Sequence, residues 1–240
     1  MEKLVYVAWR PKGAAVEAFK RALLERCGRR FVEFGAHAVS MNICDEDSAF
    51  ADHLRITQLD EPPAATISLW LDTHLARGPF ESELARHSGK LAGYLVLESV
   101  PIVNTKHPTD RCKRIPGLCT IAFLEKPATM EYETWRERWQ GHHTQVAIET
   151  QSTFLYIQNV VVRALTPEAP PWTAIVEECF PKQAATDPMV FYDAKGSEET
   201  LRQNQRRMFE SCQAFIDFPT LESHSMSSYV VKGWGLNGGS

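Results

Sequence analysis

One order of landmarks occurs twice in this chain, 116 residues apart. Counting from Pro11, Phe19, Leu23 and Cys27 follow; counting from Pro127, the matching positions are Trp135, Trp139 and His143. Pro62-Pro63 then Ile67 recur as Pro170-Pro171 then Ile175, and Tyr94 recurs as Tyr229, with small changes of offset. A single unit copied and fused accounts for that order. The aromatic and histidine version stands only in the second copy, which makes the second copy the place to look for chemistry.

The repeat divides the 240 residues into a first half at 1–103, a linker at 104–116, a second half at 117–232 and a tail at 233–240. Each half alone can bury only a small core, so the halves are expected to share an interface. At 44% hydrophobic and 23% charged residues the composition is that of a soluble globular chain. The net charge of −4 comes with no basic stripe interleaved with aromatics, which argues against a nucleic-acid partner. The N-terminal apolar run is too short for a signal peptide and no stretch approaches a membrane span, so a cytoplasmic location is expected. The six cysteines contain no Cys-x-x-Cys pair, and reduced thiols are the expectation.

Lys3 to Trp9 is a β-branched and aromatic run closed by Arg-Pro-Lys-Gly, the signature of a strand ending in a turn. A helix is predicted from about Ala14 to Phe34, strands at His37–Ile43 and Ala65–Leu71, a helix at Phe80–His87 and a strand at Tyr94–Val103. The segment from Asp45 to Pro63 is acidic and loop-like, with a helical turn at Phe50–Leu54. The second half repeats the order: strand Leu118–Leu124, helix Met130–Glu149, strands Thr153–Arg163 and Thr173–Cys179, helix Glu198–Phe215, strand Ser225–Val231. Each half thus reads βαββαβ, the ferredoxin-like split unit with two helices on one face of an antiparallel sheet. The fold class is α+β. Two such sheets can close against each other as an α/β barrel inside one chain, with a ligand cavity between them.

On the second-half helix, at about 100° per residue, Trp135, Trp139, His143 and Val146 fall within one arc of roughly 80°, with His142 beside it. Trp139-x-x-x-His143, followed by Val146-Ala147 and then Tyr156-Ile157-Gln158-Asn159, resembles the EthD-like branch of the dimeric α/β barrel proteins. In that family a helix carries an aromatic and a histidine four residues on, and the next strand carries Tyr-x-Gln-Asn. Gln145 stands where the family has a proline two positions after the histidine. The first half departs further, with Leu23 and Cys27 in place of the Trp and His, and looks like a degenerate copy that completes the barrel. The resemblance implies the barrel fold and decarboxylase, dehydratase or cyclase activity on aromatic and polyketide-like molecules.

The candidate catalytic residues are His143, Tyr156 and Glu178. The candidate substrate contacts are His142, Trp139, Gln158, Asn159, Glu177 and Cys27. Strand alternation puts Tyr156 and Gln158 on one face and Ile157 and Asn159 on the other; the polar pair suits a cavity wall, or equally a cross-strand hydrogen bond. Of Glu177 and Glu178, one faces inward and one outward. Two core aromatics beside a histidine satisfied by a carbonyl would equally explain the helix face. His37, His53 and His224 read as surface or capping residues. No zinc-type spacing, P-loop, dinucleotide fingerprint or nucleophile elbow occurs, so no metal and no cofactor are expected. The expected activity is proton transfer by His143 on a small aromatic or unsaturated acid, in an isomerisation, dehydration, cyclisation or decarboxylation. The alternatives are a haem-binding monooxygenase-like barrel and a non-catalytic carrier serving an oxygenase system. A homodimer would have to use helix faces.

Overall fold

β1 (Glu2–Trp9) is buried at every position from Lys3 to Trp9, the pattern of a strand covered on both faces. In the computed structural model, which describes residues 1–107 and 112–233, one cover is a layer of helices and the other is the lumen of a closed barrel.

The first half continues with α1 (Val16–Arg21), a π-helical stretch (Ala22–Cys27) and α2 (Gly28–Glu33), then β2 (Ala38–Ile43), β3 (Ala65–Leu71), α3 (Gly78–Ala85) and β4 (Lys90–Ile102). The second runs through β5 (Leu118–Leu124), α4 (Tyr132–Arg136), a π-helical stretch (Glu137–His143), α5 (Thr144–Thr150), β6 (Leu155–Ala164), β7 (Ala174–Phe180), a short α6 (Pro188–Phe191), α7 (Glu198–Gln213) and β8 (Glu222–Lys232). The α6 turn had no counterpart in the sequence reading. A 3-10 segment at Ala49–Leu54 occupies the expected helical turn. Of the expected linker, residues 108–111 lie outside the described residues, as does the tail from residue 234. Cys112 and Ile115 donate backbone hydrogen bonds to Val230 and Ser228, so this end of the linker runs along β8 as added sheet.

The ring order is β1-β3-β2-β8-β5-β7-β6-β4, closing back on β1. Every ladder is antiparallel. The two halves join through β2 with β8 and β4 with β6, so neither half keeps a free sheet edge. The join reaches the cores: Tyr229 and Val231 of β8 pack in the first-half cluster with Phe19, Leu23, Cys27 and Phe31. A second cluster lies under the second-half helices around Trp135, Trp139, Tyr156 and Met208.

The buried helix residues recur every four positions: Phe19, Leu23, Cys27 and Phe31 in one half, Trp135, Trp139, His143 and Ala147 in the other. In a pure α-helix such a row drifts by about 40° per step. The wider i→i+5 turn of each π stretch rotates less per residue and keeps the row facing the sheet.

Where a ligand cavity between two facing sheets was expected, side chains of the described residues pack the lumen. Val5, Val7, Tyr94, Ile121, Phe123, Ile175 and Met226 pack there with Trp172, whose ring stacks on Phe123 at 4.2 Å. Beside them lies a polar network: Lys3 pairs with Glu98 at 2.7 Å and Glu177 at 3.3 Å, and Glu177 accepts from Asn42 at 2.9 Å and Asn159 at 3.1 Å. Reduced thiols were expected throughout, yet Cys119 and Cys179, directly opposed on β5 and β7, form a disulfide. His224 is fully buried against Glu222, 2.9 Å away, and is no surface residue. Among the described residues no helix is long and apolar enough to cross a membrane.

Gly117 opens β5 at φ +126°, and a Cβ there would lie 2.3 Å from the Phe180 carbonyl oxygen. Gly117→Ala is expected to destabilise the protein by about 1–3 kcal/mol, read as a drop in the denaturant midpoint; an unchanged midpoint would show that this end of the barrel yields freely.

Candidate functional site

The outward faces of β5, β6 and β7 carry Thr120, Ala122, Tyr156, Val176 and Glu178, and the helices that cover them carry Trp139, His143, Met208, Cys212 and Phe215. Between the two layers lies a cavity of about 350 Å³ lined by these residues, with Leu54 and Ile56 of the first half also on its wall. Leu54 and Ile56 are 40% and 43% exposed, which marks the mouth. The site is therefore sandwiched between sheet and helices, not inside the barrel.

Glu178 is the residue that sheet alternation brings to this cavity, while Glu177 points the other way into the lumen network. The Glu178 carboxyl has no hydrogen bond or ion pair among the described residues. Burial raises its pKa from the ordinary 4.5 to about 7, because the charged form has lost water and gained no partner. Its charge in turn raises its neighbours: Cys212 is pushed up to about 12 and the Tyr156 phenol upward, in both cases by burial first and Glu178 second.

His143 arrives at the end of the π stretch. Its Nδ1 lies 2.9 Å from the Ser211 Oγ of α7, and its ring rests 4.7 Å from that of Phe215. Burial, helped by the neighbouring His142, holds its pKa down at about 4. The imidazole is thus neutral at pH 7 and a weak base.

Tyr156 is set by a relay: Gln158 Nε2 donates to its hydroxyl at 2.9 Å and to Thr144 Oγ1 at 2.7 Å. The Gln158 carbonyl accepts from Gln140 at 3.3 Å, so Gln158 orients Tyr156 and does not line the cavity.

The nine residues singled out from sequence divide four ways. His143, Tyr156, Glu178 and Trp139 meet at the cavity, with Gln158 behind Tyr156. Asn159 and Glu177 belong to the lumen network. His142 is exposed on the helix surface. Cys27 is buried in the other half, its thiol pushed up to about 12 by burial and by Glu83. Ser211, Cys212 and Met208 went unnoticed because they sit on a helix whose sequence is otherwise strongly polar; their i, i+3, i+4 spacing was the available signal.

A haem does not fit this site. The cavity is at the lower end of the range of about 300–1,000 Å³ for small-molecule sites, small for a tetrapyrrole. Its lining, among the described residues, includes no Lys or Arg to meet two propionates.

Residues 127–218 match the EthD domain family, the span that supplies Trp139, His143, Tyr156 and Glu178. The matched span lies within the second half of the chain. Among solved structures, a candidate monooxygenase from Lactobacillus acidophilus NCFM has a TM-score of 0.53 at 7% identity, covering 96% of each chain. An anthrone oxidase-like protein scores 0.49 at 7% identity, covering 96% of this chain and 93% of its own. A chlorite dismutase variant from Candidatus Nitrospira defluvii scores 0.45 at 13%, covering 94% and 91%. The first of these likenesses speaks for the fold alone, and the other two add no argument. No curated protein matches the sequence.

Because Glu178 is raised in the folded protein, its contribution to stability is complete below about pH 4.5 and is lost as pH rises through about 7. His143 runs the opposite way: its contribution is complete above its ordinary 6.5 and is lost as pH falls through about 4. Glu178→Gln is expected to stabilise the protein by about 3 kcal/mol at pH 8 and to remove the decline between pH 4.5 and 7. Chemical denaturation at a series of pH values reads this, and parallel curves for the two proteins would contradict it.

Proposed function

We propose that the second-half cavity binds a small, neutral aromatic or unsaturated molecule and moves a proton on it without a resident cofactor. The observation that carries this reading is the Glu178 carboxyl: it lines an apolar cavity and, among the described residues, has no cation and no hydrogen-bond donor beside it, an arrangement that destabilises a structural carboxylate and suits a proton carrier near neutral pH. Glu178 takes or gives the proton. The Tyr156 hydroxyl, oriented by Gln158, donates to a substrate oxygen on which charge develops. His143, oriented by Ser211, offers its Nε2 to a second oxygen, and Trp139 and Phe215 form the apolar wall that excludes water.

The same lining revises the expected substrate. An acid would bring a carboxylate beside Glu178 with no Lys or Arg among the described lining residues to offset it, so isomerisation, dehydration or cyclisation of a phenol, quinone or enone is favoured over decarboxylation. In this reading the two halves descend from one duplicated unit, each with its π stretch, and the divisions at 1–103 and 117–232 mark the copies. The first copy contributes the cavity mouth.

A thermal-shift screen of naphthols, anthrones and cyclic enones beside benzoic acids tests the binding. Neutral compounds are expected to stabilise the protein, and a screen in which only the acids bind would overturn the reading. For the compounds that bind, deuterium exchange from D2O into carbon positions should fall by at least about 100-fold in Glu178→Gln, with His143→Ala weakening binding and exchange together. Binding with no exchange in the wild type would make the site a carrier. Oxygen uptake during turnover separates the proposed reaction from an oxygenation that begins with the same deprotonation. Incubation with haem should yield no stoichiometric Soret band.

A further inference from the structure

The first half holds a second group of chemically capable side chains, at the place that corresponds to His143. Cys27, Glu83 and His87 each turn one donor atom toward the others, all within 4.8 Å. We propose that these three residues bind one zinc-class divalent ion.

The Glu83 Oε1 to His87 Nε2 distance is 3.4 Å. A tetrahedral ion with bonds of about 2.0–2.1 Å to oxygen and nitrogen holds two such ligands about 3.3 Å apart, so this pair already has the required spacing. The Cys27 sulfur lies within 4.8 Å of both, so it has to close by no more than about 1.3 Å to join them. Glu83 and His87 sit four residues apart, at the end of α3 and in the turn beyond, and so share one face. Arg86 holds the other carboxylate oxygen of Glu83 at 2.6 Å, which fixes the group and leaves Oε1 for the ion. Cys27 is fully buried at the end of its π stretch. The His87 side chain is 18% exposed and lines a groove beside Ala22 and Arg26, which gives an ion its entry and a water its fourth position.

The second half builds the same meeting of helices from other residues. There His143 meets Ser211 and Phe215, also four apart, where Cys27 meets Glu83 and His87. A thiolate, an imidazole and a carboxylate select a soft or borderline ion over magnesium or calcium. The arginines around the groove, Arg21, Arg26 and Arg86, likewise disfavour an ion held by charge alone. On binding, the Cys27 S–H bond breaks, sulfur keeps the electron pair for the metal bond, and the proton leaves to solvent.

The test is titration of the chelator-treated full chain with cobalt(II) and then zinc(II). The expected result is saturation at one ion per chain, a thiolate-to-cobalt charge-transfer band in the near ultraviolet, release of one proton per ion, and displacement by zinc. Cys27→Ser should lose the band. His87→Ala, a change near the surface that keeps the experiment readable if the core variant does not fold, should weaken binding by more than about 100-fold, beyond the usual effect of losing an outer-shell partner. Cys44→Ser should change neither. Absence of saturation at one equivalent, binding without the thiolate band, or a band that survives in Cys27→Ser would overturn the assignment.

Discussion

Closure of the strand ring is the constraint on which everything else in this molecule rests. A four-stranded sheet with helices on one face leaves its other face and its two edges exposed. Here both problems have one solution: β2 pairs with β8 and β4 with β6, so the edges of each half become the interior of the other. The open faces then turn inward around Phe123, Trp172 and their neighbours. Since Tyr229 and Val231 of the last strand belong to the core beneath the first-half helices, neither half retains a complete core when separated from the other.

Closure also decides where a ligand can go. The lumen is packed by the cluster around Phe123 and Trp172, and the cavity that holds Tyr156 and Glu178 lies on the outer face of the sheet, under the helices. Its walls set the large Trp139 and Phe215 of the helices beside the small outward residues Thr120 and Ala122 of the sheet.

Much of this was legible in the sequence. The strands Ala65–Leu71 and Leu118–Leu124 come out with the boundaries the pattern predicts, and the others differ by a few residues, because β-branched runs bounded by turn residues leave little choice. One helix face groups Trp139 with His143, and strand alternation puts Glu177 and Glu178 on opposite faces without saying which of them joins that pair. The inside and outside of the barrel were not legible: alternation says which residues share a face and nothing about which face meets the helices. The pattern therefore offers Tyr156 and Gln158 as a cavity wall or a hydrogen-bonded pair and Asn159 as a substrate contact, whereas Tyr156 faces the helices and Asn159 turns into the lumen network. Cys119 with Cys179, and Cys27 with Glu83 and His87, were hidden for another reason. Their partners lie 56 or more residues apart in sequence, and only strand register or helix packing brings them together.

Glu177 and Glu178 occupy consecutive positions on β7 and live in different worlds. One is anchored by Lys3, Asn42 and Asn159 across three other strands; the other touches no anchor. A slide of β7 by a single residue would exchange them, sending the unpartnered carboxyl to the ammonium group and turning the lumen carboxylate out to the cavity. The lumen ion pair thus acts as a locating pin. Its contribution to the site is made through the thickness of the sheet, by holding the neighbouring residue in a place where nothing else holds it.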